Sequence, residues 1–192
     1  MRFTTRTFWP ALGHNQNKAM NSPTLLSVLL DCESLLSYFA LKNYVVKTGD
    51  VNVDIAHAVS SITSFLHSFA FLHKQNRIVV YGHGLSGSEI LFPRIDYDNH
   101  AQDGIDLLLY IPSLSSVLRD NLESFFRKEV SFRANNEYTE TPKYHLASVL
   151  SASLCLCRQQ QSAHHIQARM LVLQFDKDKP QNYNAVMNSI FR

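Results

Sequence analysis

Apolar positions along the chain fall into two periods. Thr24 to Leu30, "TLLSVLL", is an almost unbroken apolar run closed by Asp31, the signature of a central strand covered on both faces. From 54 to 73 the period changes: Ile55, Val59, Ile62, Leu66 and Phe69 recur at helical spacing, widened by Ala58, Phe65 and Leu72, and predict a long helix on a sheet. A strand follows at 77–82, and Glu89 to Ile95, "EILFPRI", reads as a second short strand that Pro93 confines to an edge. The polar "DYDNHAQDGID" predicts a loop, and "DLLLYIP" from Asp106 fits either a strand or a linker. Ser113 to Phe132 has a capping serine and one apolar face of Leu114, Val117, Leu118, Leu122, Phe125 and Phe126, with Arg119, Glu123 and Arg127 opposite. Lys143 to Gln160 is helical again, with Leu146, Leu150, Leu154 and Cys157 in register. Met170 to Phe175 is another buried strand, and Pro180 opens a last helix. The order β, α, β, β, α, α, β, α predicts a layered α/β fold with a mainly parallel sheet.

Length and composition fit one globular domain: 192 residues, 45% hydrophobic and 18% charged. Eighteen Lys and Arg against sixteen Asp and Glu give +2 with no long run of either sign, so the footprint of an autonomous nucleic-acid binder is missing. No apolar run reaches the ~20 residues that span a bilayer, and no membrane contact is expected. The three cysteines, Cys32, Cys155 and Cys157, point to a reducing compartment. Cys155-Leu-Cys157 lies in a helical pattern without the second ligand pair that zinc needs, and reads as two buried thiols. Residues 1–20, with Arg2, Arg6 and Lys18 and no acid, read as a flexible basic arm ahead of a domain at 21–192.

Two stretches could carry chemistry, and the first admits two readings. In "RIVVYGHGLSGSEI", Gly82, Gly84 and Gly87 match the G-x-G-x-x-G of dinucleotide sites. That motif requires its third glycine to open a helix, and Gly87 leads into a strand. A nucleophile elbow would place a serine between two glycines before a helix; Ser86 has Ser88 where the second glycine belongs. A hydrolase-like enzyme using the loop after Tyr81, with His145, His164 or His165 as base, is the alternative to a non-enzymatic reading. The second stretch is "LLDCESLLSYF", with an acid at the end of the first strand, where ligands of open α/β sheets gather. Against the D-x-S-x-S metal motif it presents Asp31, Glu33 and Leu35; Leu35 offers no oxygen, so the motif is degenerate and Asp31 reads as a helix-capping or turn acid.

Four stretches together give the chain a family likeness: "LLSVLLDCES", "RIVVYGHGLSGSEILFPR", "HLASVLSASLCLCRQ" and "ARMLVLQFDKDKPQNYNAVMNSIFR", the last with Arg169, Tyr183, Met187, Asn188, Ile190 and Phe191 in place. Over residues 24–192 the chain resembles the von Willebrand A-like domain of the subunit 4 family of the general transcription and DNA repair factor IIH. The resemblance implies a doubly wound, mainly parallel sheet with one antiparallel edge strand. It implies a nuclear, non-catalytic structural subunit of the factor IIH core, acting in nucleotide excision repair and RNA polymerase II initiation through protein contacts. The implied partners are the other core subunits, chiefly the second von Willebrand A subunit with a zinc-binding tail, with no direct nucleic-acid contact. Catalytic, cofactor-binding and metal residues are expected to be none. In the resembling family a zinc module follows the region matched here, so no cofactor is expected within residues 1–192. The sheet is expected to be incomplete at its C-terminus, leaving "MLVLQF" as an open apolar edge prone to self-association.

Overall fold

The run after Pro23 forms the centre of a five-stranded sheet. The computed structural model describes residues 6–7, 22–37, 51–93, 113–135, 145–174 and 186–188. In chain order the elements are β1 (Arg6–Thr7), β2 (Thr24–Asp31), α1 (Val51–Leu72), β3 (Arg77–His83), β4 (Ser88–Phe92), α2 (Leu114–Asn135), α3 (Leu146–His164) and β5 (Gln167–Leu173). A helical turn over 32–37 follows β2. The spatial order is β1-β5-β2-β3-β4. β2 pairs in parallel with β3 and with β5, while β4 runs antiparallel on β3. This is the mainly parallel α/β sheet that the order of elements predicts, with the antiparallel edge that the family resemblance implies.

All eight residues of β2 are buried. The pleat sorts their side chains onto two layers, because successive residues of a strand point to opposite faces. Leu26, Val28 and Leu30, with Ile78 and Val80 of β3, pack under α1 and α2 against Leu66, Leu118, Leu122 and Phe125. Leu25 and Leu29, with Val79, Tyr81 and Met170, pack under α3 against Val149, Leu150 and Cys157. Each such aliphatic side chain contributes about 1.5–3 kcal/mol by leaving water. A polar pair survives in the second layer: Ser27 and Ser153, both fully buried, satisfy one another at 2.6 Å. Burial also pushes the Tyr81 phenol up to about 12, with Cys157 and Cys155 adding to the effect.

Four expectations change. β5 begins at Gln167, because its pairing with β2 starts at Thr24↔Gln167. Its outer side is met by β1, antiparallel, at Arg6↔Val172 and Thr7↔Leu171, so "MLVLQF" is not wholly open and the sheet has a second antiparallel edge. The rest of residues 1–20, residues 94–112 with "DLLLYIP", and most of the last helix lie outside the described residues. On α1, Phe65 and Leu72 are exposed rather than widening the buried face. The inward stripe is Val59, Thr63, Leu66 and Ala70, and these two flank it. Cys155 is exposed while Cys157 is buried, since residues two apart on a helix sit on nearly opposite sides.

Candidate functional site

The C-terminal edge of the parallel strands is where an open α/β sheet holds ligands. Here β2 and β3 end side by side, with Asp31 in register with His83. Asp31 Oδ1 accepts the Ser34 amide at 3.0 Å, so it caps the turn over 32–37 as its position predicts. Leu35 is fully buried in the core. Asp31 Oδ1 is engaged by the backbone, and Leu35 offers no oxygen where the D-x-S-x-S motif has a hydroxyl. Among the described residues no group of three or more His, Cys, Asp or Glu could hold a metal.

The loop after β3 is built around a carboxylate from another element. Gly84 donates its amide to the Gly87 carbonyl at 2.9 Å and closes the loop. The Leu85 and Ser86 amides then point inward, and both donate to Glu129 of α2, at 2.9 and 2.7 Å. The Ser86 hydroxyl donates to Glu129 Oε1 as well. Glu129 has no exposed surface; its charge is held by oriented N–H and O–H donors rather than by water. A Cβ at position 84 would lie 2.5 Å from the Glu129 Cδ, so only glycine lets the backbone come this close, and Gly87 stands at φ +143°.

One turn further along α2, Arg133 holds the neighbouring loop. Its Nη2 donates to the Glu33 carbonyl at 3.3 Å and to Ser37 Oγ at 3.2 Å, and lies 3.6 Å from Glu33 Oε1. Glu129 and Arg133, four residues apart and therefore on one face of the helix, thus clamp the loops after β3 and β2. Among the described residues, His83 Nε2 and Arg133 Nε in this region find no hydrogen-bond partner.

The electrostatics follow from burial. The Cys32 thiol is pushed well above its usual range, first by burial and then by the Asp31 and Glu129 charges, which disfavours the thiolate form. Burial lowers the His83 pKa; Asp31 and Glu129 pull it upward and His145 pushes it further down. Ser86, the serine of the hydrolase alternative, spends its hydroxyl on a carboxylate already engaged by two amides. His164 and His165 lie at the opposite edge, at the end of α3 before β5. The structure thus gathers Asp31, Glu33, His83 and Ser86 at one edge and places Leu35 in the core. Sequence reasoning missed Glu129 and Arg133. The signal was present: Glu129 continues the buried stripe Leu114, Leu118, Leu122, Phe125, in a register where an acid must have internal partners.

Residues 23–192 match the family model described as "Transcription factor Tfb4". The chain is 31% identical over 189 residues to the "General transcription and DNA repair factor IIH subunit TFB4" of Arabidopsis thaliana, covering 95% of this chain and 57% of that protein. It therefore spans little more than half the length of that relative. The fold is similar, at TM-score 0.61 and 12% identity, to the structure titled "Crystal Structure of the TFIIH p34 N-terminal Domain", over 90% of this chain and 76% of that one. The match over residues 23–192 shows that the chain belongs to the Tfb4 transcription factor family.

Proposed function

We propose that this chain is a non-catalytic structural subunit of the factor IIH core, acting in the nucleus in nucleotide excision repair and RNA polymerase II initiation through protein contacts. Its partners in this reading are other core subunits, chiefly the second von Willebrand A subunit with a zinc-binding tail. Family membership supports the setting. The observation that carries the non-catalytic part is the Glu129 clamp. The loop where a hydrolase would place its nucleophile turns its Leu85 and Ser86 amides and its serine hydroxyl onto an internal carboxylate, so these donors are not offered to a substrate oxyanion.

The test is reconstitution of the core with the complete protein, wild type or Asp31→Asn/Ser86→Ala, followed by assays of assembly, promoter opening and damage excision. Activity is expected to follow assembly in both. A variant that assembles fully yet abolishes opening or excision would contradict the reading.

A further inference from the structure

Among the described residues, the N-terminal edge of the sheet collects basic side chains and amides without acids. β2, β3 and β5 all start there, and the parallel pairing places Arg77 and Ala168 on either side of Leu25, and Gln167 beside Thr24. α1 and α3 both end there. Lys74, Gln75, Arg158, Gln159, Gln161 and His164 are exposed. The pieces are tied together: Arg77 Nη1 donates to Gln160 Oε1 at 2.5 Å, Asn76 Oδ1 accepts the Thr24 amide at 3.0 Å, and the Gln167 amide donates to the Pro23 carbonyl at 3.1 Å. Among the described residues at this edge, 22–24, 73–77 and 158–169, there is no Asp or Glu. Basic groups just past the ends of α1 and α3 complement the helix dipoles, which accounts for Lys74. It does not account for Arg158, more than a turn inside α3, or for Arg77 on a strand.

We infer that this edge is a docking surface for an acidic protein segment. The charge pattern selects the partner. A few cations interleaved with Gln amides match separated carboxylates and peptide carbonyls, each amide offering a donor and an acceptor. Nucleic acid backbones call for a denser array, with each phosphate neutralised by Lys or Arg. The inference goes beyond the assembly reading and does not rest on it, because it needs only the charge distribution.

The experiment measures binding of a fluorescent polyglutamate peptide to the complete protein by anisotropy, beside a DNA duplex of equal charge. Lys74→Glu/Arg158→Glu alters two exposed side chains and is the test variant; Arg119→Glu, exposed on α2, is the control. Saturable peptide binding is expected, weakened about tenfold by the double reversal and about unchanged by the control. Equal loss in the control, no loss in the double variant, or tighter binding to DNA than to peptide would overturn the inference. So would a tenfold gain in affinity on changing Asp96, Asp98, Asp103 and Asp106 to Asn, which would show the chain's own acids already seated on the surface.

Discussion

The two edges of the sheet treat charge in opposite ways. At the C-terminal edge the buried Glu129 and the partly buried Arg133 are answered from within the chain: Glu129 by Leu85 and Ser86, Arg133 by Glu33 and Ser37. At the N-terminal edge Lys74 and Arg158 stand in solvent with no acid beside them among the described residues. Among the described residues, the usual ligand end is thus filled by its own α2, and the usually idle end presents exposed charge of one sign. A polar cluster at the right place in a fold says little about ligands until its internal partners have been counted.

Removing the acid should break this contrast most strongly. Glu129→Ala leaves two amides, a hydroxyl and a cavity without partners, and is expected to cost about 3 kcal/mol in urea unfolding. A loss below about 1 kcal/mol would mean that water satisfies the loop equally well and that no clamp exists. Gly84→Ala forces a methyl group against the same carboxylate and should cost about 2 kcal/mol, readable as a lower thermal midpoint. Arg133→Met removes a partly exposed pairing but keeps much of the packing, and about 1 kcal/mol or less is expected.

The next effect is set by pH. The folded-state pKa of His83 is lowered by burial, so the unfolded chain binds its proton more readily. Stability is therefore full above the unfolded value of about 6.5 and falls as pH drops through it toward the lower folded value. Unfolding free energies of the wild type and His83→Gln at pH 7.5 and pH 5.5 check this. The wild type is expected to lose more over that interval; identical losses would remove His83 from the account.

Much of the fold was legible in the sequence because burial writes simple periods. The run at 24–30 could only be a covered strand, and the stripe from Leu114 to Phe126 could only be one helix face. Arg6–Thr7 was not legible, since two residues carry no period and only the unpaired edge of β5 makes them a strand. Phe65 and Leu72 misled because an apolar side chain beside a stripe looks the same whether or not a neighbour covers it. The site was legible in part. Asp31 announced its cap, whereas the glycine-rich loop could be explained only once Glu129, more than forty residues later, was seen inside it. The sorting of charge between the edges is hidden by a net charge of +2, although the sequence carries no acid between Asp54 and Glu89 or between Glu140 and Asp176.

Titration of the complete protein with Mn²⁺, followed by calorimetry and by the spin-resonance signal of the free ion, tests the filled C-terminal edge most directly. With Asp31 Oδ1 held by the Ser34 amide, Leu35 in the core and Glu129 and Arg133 committed to the two loops, the ion should stay free and give no saturable heat. A stoichiometric site that disappears in Asp31→Ala would contradict the account.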